Sequence, residues 1–187
     1  AQHGAKSVIA SDVREGPLNA ARRTIAQYGV KNVTAVLSDG LDRIDFADDV
    51  VICGMGGELI MKIISGCRFL SENTRFILQP MTKADTLRRE LYRSGYEIME
   101  ERTARDGGRL YTVMLARYTG QKSEPDKLFC LCGKITDPEM LRHISGKLRK
   151  NAAGMELSGN PPQQAQELRR MADTIDGQAQ RLSSTEV

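Results

Sequence analysis

The first 120 residues alternate between two hydrophobic patterns. Short runs rich in Val, Ile and Leu predict strands, and stretches with apolar residues every three or four positions predict helices. The predicted strands are 7–10, 33–37, 50–53, 75–79, 96–104 and 109–118, with helices after the first, third and fourth. Such alternation indicates a parallel sheet. Pro80 is predicted to end the fourth strand, and Asp106-Gly107-Gly108 predicts a hairpin whose antiparallel strand lies at the sheet edge.

A different pattern begins after residue 120. The polar run TGQKSEPDK, residues 119–127, contains Gly and Pro and predicts a linker. Two apolar series with spacings of three and four follow, separated by the helix-breaking run SGNPP: 141, 144, 148, 152, 155 and 165, 168, 172, 175, 179, 182. They predict an antiparallel helical hairpin. The predicted divisions are therefore a sheet domain (1–120), a linker (121–136) and a hairpin (137–187).

Composition is that of an ordinary globular protein. The 187 residues are 40% hydrophobic and 27% charged, which suits one domain with a modest appendage. No apolar run approaches the roughly 20 residues of a membrane span, and no signal-peptide pattern opens the sequence. We therefore expect a cytoplasmic protein with no membrane partner. The net charge of +3 permits a nucleic-acid partner without requiring one.

The four cysteines suggest reduced thiols. Cys53, Cys67, Cys130 and Cys132 form no CxxC pair, and His143 is the only histidine near the last two. The stretch with Cys130 and Cys132 has a strand-like or loop pattern. We predict no metal site.

Three loops follow successive predicted strands. Asp12 comes after the first strand, Asp39-Gly40 after the second and Gly54-Met55-Gly56-Gly57 after the third. Taken singly, each loop is explained by a helix cap or a tight turn. Carboxyl ends of parallel strands share one edge, where clefts form and glycines let a ligand approach the backbone. Together the loops favour a nucleoside-binding groove.

Four runs in this region resemble a known family. SDVREGPLNAAR, SDGL, VICGMGG and ILQPMTKADTLRRELYRSGYEIMEE are similar to the bacterial tRNA (adenine-N1)-methyltransferases that modify position 22. The resemblance covers about residues 1–118. It implies a Rossmann-like α/β class I methyltransferase domain followed by a helical hairpin, with S-adenosylmethionine as cofactor and tRNA as substrate.

The resemblance also implies site residues. Asp12, with Val13, would hold the ribose of the cofactor, and Asp39, with Gly40, would face its adenine. Gly54 to Gly57 occupy the place of the Asn-Pro-Pro-aromatic loop that related enzymes set against the target base. Gly54, Met55 and Gly56 are also expected to bind the cofactor. No general base is assigned, so the catalytic residue is unknown.

Basic residues are spread along the chain, and most helical groups of them are simply solvated. With a tRNA substrate implied, Arg142, Lys147 and Lys150 of the hairpin become candidate contacts to phosphates. An oligomer is also compatible with the sequence.

One departure from the family concerns its first strand. Members open with a strand and glycine-containing loop similar to DIGSDHAYLP, whereas this sequence begins at Ala1, late in the helix that follows that loop. We expect two unpaired strand edges as a result. The chain is then either part of a longer protein, which we favour, or a fragment with weak cofactor binding.

Two other classes of function stay open. A non-catalytic RNA-binding or interaction module derived from a methyltransferase would also lack the first loop. A nucleotide-dependent oxidoreductase is disfavoured because no GxGxxG fingerprint is visible. An Asp-x-Gly-Ser-Asp-His run encoded just before Ala1 would favour the enzyme over the module.

Overall fold

The structure, a computed structural model, describes residues 4–158 and 161–185. The sheet domain contains β1 (Val8–Asp12), α1 (Glu15–Gln27), β2 (Val33–Leu37), β3 (Asp49–Gly56), α2 (Gly57–Ser65), β4 (Arg75–Thr82), α3 (Ala84–Arg93), β5 (Tyr96–Asp106) and β6 (Arg109–Tyr118). It is followed by α4 (Lys127–Cys132), α5 (Pro138–Leu157) and α6 (Pro162–Thr185).

The strands form two sheets. β1 pairs in parallel with β2, and the second sheet has the order β3-β4-β6-β5. β3 and β4 are parallel, while β6 is antiparallel to both β4 and β5. The predicted mixture of parallel strands with an antiparallel hairpin is therefore confirmed. The prediction that the antiparallel strand lies at the sheet edge was wrong, because β6 pairs with strands on both sides and β5 forms the edge.

β1 and β3 each have one strand neighbour within the described residues, so each has a free edge. Apolar side chains on these two strands are left open to solvent: Ile9 is 46% exposed and Val51 is 65% exposed. The two unpaired edges expected from the sequence are present.

Helices α2 and α3 cover one face of the larger sheet. Ile60 and Ile64 of α2 and Leu87 and Leu91 of α3 belong to one buried cluster with the strand residues Val50, Ile52, Phe76, Leu78, Ile98, Met114 and Ala116. The helical spacing of three and four places these apolar residues on one side of each helix. This cluster fixes α2, and with it the glycine loop that precedes it, against the end of β3.

Four strands extend further than predicted. β1 continues to Asp12 and β5 to Asp106. β3 continues through the glycines to Gly56, and β4 continues through Pro80 to Thr82. Pro80 lies opposite Met55, where the pairing register shifts. A proline without an N–H is tolerated at such an irregularity, which explains why it does not end the strand.

The segment between the predicted domains contains a helix. Asp126 caps α4 by accepting a hydrogen bond from the backbone N–H of Phe129 at 2.7 Å. The prediction of a strand-like or loop stretch at Cys130 and Cys132 was wrong. All four thiols are free; Cys53 is exposed, Cys67 is half-buried, and Cys130 and Cys132 are buried.

The predicted helical hairpin is present as α5 and α6. Asp137 caps α5, and Pro138 occupies its first turn, where the missing N–H costs nothing. Small residues at the seam, Ala152, Ala165, Ala172 and Ala179, are buried between the two helices. Gly159 and Asn160, in the predicted helix-breaking run, lie outside the described residues.

Candidate functional site

The first two predicted loops lie side by side. Asp12 is the last residue of β1 and pairs with Leu37, the last residue of β2. Its backbone C=O accepts a hydrogen bond from Ser38 N at 3.0 Å, so Asp39 follows directly beside it. The half-buried Asp12 carboxylate accepts from Arg14 N at 2.8 Å, and Asp39 is exposed. Two carboxylates therefore end two adjacent parallel strands.

Gly40 brings the second loop against α2. Its φ of 55° lies in the left-handed region, which favours glycine, and a Cβ there would lie 3.1 Å from Cγ2 of Ile63. The glycine was predicted to let a ligand ring approach the backbone. In the structure, packing also explains the glycine without any ligand, because this loop lies against α2, the helix that follows the third loop.

Gly54 forms an irregularity in the third loop. The pairing of β3 with β4 shifts register between Cys53 and Met55, and Gly54 has a φ of 78°. Its N–H donates to Oε1 of Gln79 at 2.9 Å, so a side-chain amide supports the backbone at this point. Such bulges often re-aim a strand end beside a functional site.

The remaining glycines of the loop have different surroundings. A Cβ on Gly57 would lie 2.4 Å from the backbone oxygen of Lys83 and 3.0 Å from Cβ of Leu87, so this glycine lets α2 approach α3. A Cβ on Gly56 would meet only Oγ1 of Thr82, at 3.2 Å, and one on Gly54 would meet nothing within 4 Å. Open space is therefore available at Gly54 and Gly56, whereas Gly57 has a packing role.

Residues near the loop that sequence reasoning missed are Gln79 and Lys83. Gln79 is a polar residue inside an apolar strand, a pattern that could have pointed to it. Lys83 has a φ of 56°, which is unusual for a residue with a side chain, and no sequence pattern marked it. Its Nζ lies 2.6 Å from Oε1 of Glu58, and both side chains are exposed, so this pair contributes little stability.

The three predicted RNA-binding residues of the hairpin fall into two groups. At about 100° per helical residue, Lys147 and Lys150 share one face of α5 with His143. Burial, followed by the charges of Lys147 and Lys150, lowers the pKa of His143. Arg142 instead reaches α6, where it donates to Oγ of Ser183 at 2.8 Å.

Two grooves lie elsewhere. One of about 540 Å³ follows α1 and β2 and includes Arg22, Ile25, Val30 and Ala35. The other, of about 500 Å³, lies on the hairpin and includes Arg142, Ser145, Arg149 and Asp176. Neither groove contains the strand-end loops.

Neither a metal-binding cluster nor a membrane-spanning helix is found in residues 4–158 and 161–185. No group of three or more His, Cys, Asp or Glu side chains in these ranges could hold a metal ion. None of the helices there is both long and apolar enough to cross a membrane.

Comparison with known proteins identifies the class. The Methyltransferase domain family matches residues 1–114, and the chain therefore belongs to that family. The tRNA (adenine(22)-N(1))-methyltransferase of Bacillus subtilis (strain 168) is 31% identical over 140 residues, which are 73% of this chain. The chain spans 59% of the length of that curated relative.

Solved structures show the same fold. The B. subtilis m1A22 tRNA methyltransferase TrmK has a TM-score of 0.74 at 24% identity, covering 97% of this chain and 83% of that one. Streptococcus pneumoniae Sp1610, a candidate tRNA (m1A22) methyltransferase in complex with S-adenosyl-L-methionine, has a TM-score of 0.73 at 24% identity, covering 91% and 81%. The predicted Rossmann-like methyltransferase fold is confirmed, and so is the family resemblance.

Proposed function

We propose that this chain carries out S-adenosylmethionine-dependent methylation of adenine N1 at position 22 of tRNA. One structural observation carries the proposal: two carboxylates end adjacent parallel strands, and the glycine loop of β3 leaves open backbone at Gly54 and Gly56. The B. subtilis relative supports the choice of adenine 22.

The strand-end residues fit the nucleoside part of the cofactor. Asp12, with Val13 beside it, would accept hydrogen bonds from the ribose hydroxyls, because two carboxylate oxygens match a vicinal diol. The exposed carboxylate of Asp39, with Gly40, would accept from the exocyclic amine of the adenine. Bound S-adenosylmethionine supplies an electrophilic methyl group on its sulfonium sulfur.

The glycine loop fits a flat base. Adenine N1 carries an in-plane lone pair, so the chain need not create the nucleophile and has mainly to orient it. Gly54 and Gly56 would let the base lie against the backbone, with Met55 between them, once it is extruded from the folded tRNA. Glu58 forms an ion pair with Lys83, and we assign no general base.

The hairpin supplies a basic face for the rest of the substrate. Lys147 and Lys150 are exposed on one side of α5 and would contact phosphates, which hold the RNA without reading its sequence. Arg142 would contribute from the α6 side. With tRNA as its substrate, the protein would act in the cytoplasm.

Two measurements test the proposal. Methyl transfer is followed on tRNA transcripts with adenine or guanine at position 22, and the expected product is N1-methyladenine in the first transcript alone. Calorimetric titration with S-adenosylmethionine should show binding that Asp39→Ala weakens at least about tenfold, the scale of a lost charged hydrogen bond. Asp45→Ala, in the exposed loop before β3, is the matched control. Unchanged affinity in Asp39→Ala contradicts the assigned role of that residue.

A non-catalytic RNA-binding module is the second candidate. The free edges of β1 and β3 favour it, because a strand that pairs on one side only holds its strand-end loop less firmly. A protein that binds tRNA but neither binds S-adenosylmethionine nor methylates any transcript would support this alternative and contradict the enzyme.

A further inference from the structure

A buried ion pair lies between α3 and β5. Nε of Arg88 donates to Oε1 of Glu101 at 2.9 Å, and the two residues are 1% and 5% exposed. The sequence places Arg88 beside Arg89 and Arg93 on one helix, a pattern typical of a solvated face. The structure instead buries this arginine completely.

The remaining hydrogen bonds of the pair all reach the segment that leads to the hairpin. Nη1 of Arg88 donates to the backbone oxygens of Cys130 and Leu131 at 2.7 and 2.9 Å, in the last turn of α4. Glu101 accepts from the backbone N–H of Lys134 at 2.5 Å. A single pair thus satisfies backbone groups on both sides of the end of α4.

The chain turns tightly around this pair at Gly133. Its φ is 56°, and a Cβ there would lie 1.6 Å from Oε2 of Glu101 and 2.5 Å from Nε of Arg88. No residue with a side chain fits without displacing the pair. The ion pair and the path of the main chain are therefore mutually dependent.

A second contact joins the same strand to the start of the hairpin. Nη2 of Arg105, on β5, lies 2.6 Å from Oδ2 of Asp137 and 2.9 Å from Oε2 of Glu139. Asp137 also caps α5. The entry to α5 is consequently held to β5 at two places, one buried and one exposed.

We propose that Arg88 and Glu101 are positioning residues that fix the direction of the hairpin relative to the strand-end site. This inference rests on the proposed function: a tRNA held on the hairpin must present its adenine at a defined distance. A buried ion pair stabilises a protein no better than apolar residues of similar size. Its particular contribution here is direction, because each hydrogen bond fixes one backbone group of the segment 130–134.

A double variant distinguishes a change in the direction of the hairpin from a loss of protein stability. In Arg88→Met/Glu101→Leu the charges are replaced together, so neither is left buried alone. The backbone groups of Cys130, Leu131 and Lys134 lose their partners, so we expect a folded protein with a lower melting temperature than the parent. We expect the affinity for S-adenosylmethionine to change less than about twofold and kcat/KM for tRNA to fall at least about tenfold, because fewer molecules hold the hairpin in the competent orientation. Small-angle X-ray scattering should show a larger radius of gyration.

Two further variants complete the design. Arg88→Lys keeps the charge but loses the guanidinium fork. We expect the same fall in kcat/KM and the same larger radius of gyration. This variant therefore tests the inference even if the double variant does not fold. Arg169→Met breaks an exposed pair with Glu156 inside the hairpin and should change neither scattering nor kinetics.

Scattering and kcat/KM like those of the parent, in a variant that folds, would overturn the inference. A loss of affinity for S-adenosylmethionine as large as the loss of kcat/KM would also overturn it. If the parent methylates no tRNA, the proposed function fails, while scattering still decides whether the pair directs the hairpin.

Discussion

The amide of Gln79 supports the backbone of Gly54 where the pairing of β3 and β4 is irregular. A backbone N–H that lacks a regular ladder partner needs another acceptor, and the side chain supplies it. The orientation of the candidate base-binding loop therefore depends on one side chain of a neighbouring strand.

Replacing this amide should affect turnover more than stability. Gln79→Met removes the acceptor at similar volume, and we expect about 1 kcal/mol of destabilisation from the lost hydrogen bond. The displaced loop should lower kcat by about tenfold or more, since small misplacements are costly in catalysis. Gln79→Glu keeps an acceptor oxygen and should retain more activity. Equal kcat in Gln79→Met and the parent would show that the loop does not depend on this contact.

The glycines of the same loop should respond differently to a methyl group. Gly57→Ala places Cβ 2.4 Å from the backbone oxygen of Lys83, so we expect the overpacking cost of about 1–3 kcal/mol. In Gly56→Ala the added Cβ meets only a side-chain oxygen at 3.2 Å, so the free energy of unfolding should stay close to that of the parent. Urea denaturation of the two variants measures the difference. A smaller free-energy loss in Gly57→Ala than in Gly56→Ala would contradict these packing roles.

At the scale of elements, a partly exposed polar cluster joins the two hairpin helices beside their apolar seam. The carboxylate of Asp176 on α6 accepts from Ser145 and Arg149 of α5. The hydrogen bond from Ser145 lowers the pKa of Asp176, partial burial opposes this, and Arg149 lowers it further.

This cluster should make the hairpin sensitive to acid. A carboxyl whose pKa is lowered by folding stabilises the protein above its unfolded pKa of about 3.9 and loses that contribution as pH falls through the folded value. Asp176→Asn should therefore melt below the parent at pH 7, and the two melting temperatures should converge in acid. Circular dichroism from pH 7 to pH 3 measures this, with Asp45→Asn as the control. A gap that stays constant with pH would exclude the linkage.

The element pattern could be predicted because it depends on local spacing. Apolar periodicity located β1, β2, β3 and both hairpin helices, since each buries one face. The helix at Cys130 and Cys132 was missed because it is only six residues long and depends on Asp126 and on packing against α3. Burial of Arg88 could not be predicted either, because its carbonyl partners lie more than 40 residues further along the chain.

At the scale of the whole molecule, the sheet edge and the hairpin present different chemistry. The edge carries carboxylates and open glycines, which suit a nucleoside. The outer face of α5 carries Lys147 and Lys150, which suit phosphates. A substrate that contacts both must be large, and this agrees with a folded RNA.

Removing the two lysines should weaken RNA binding in a salt-dependent way. In Lys147→Gln/Lys150→Gln we expect the slope of log affinity against log salt to become shallower by about one unit per lysine. Lys31→Gln/Lys122→Gln, which removes two exposed lysines outside the hairpin, is the matched control. Filter-binding titrations at several salt concentrations measure the slope. Equal slopes in the two double variants would show that the RNA does not contact Lys147 and Lys150.

The exposure of Cys53 has a practical consequence for chemical labelling. This thiol directly precedes Gly54, whereas burial raises the pKa of Cys132 to about 11 and also raises the pKa of Cys67 and Cys130. Because the thiolate is the form that reacts, a maleimide should modify Cys53 first. The rate of that single reaction would then report, without any assay of methyl transfer, whether a nucleoside or a base covers the loop.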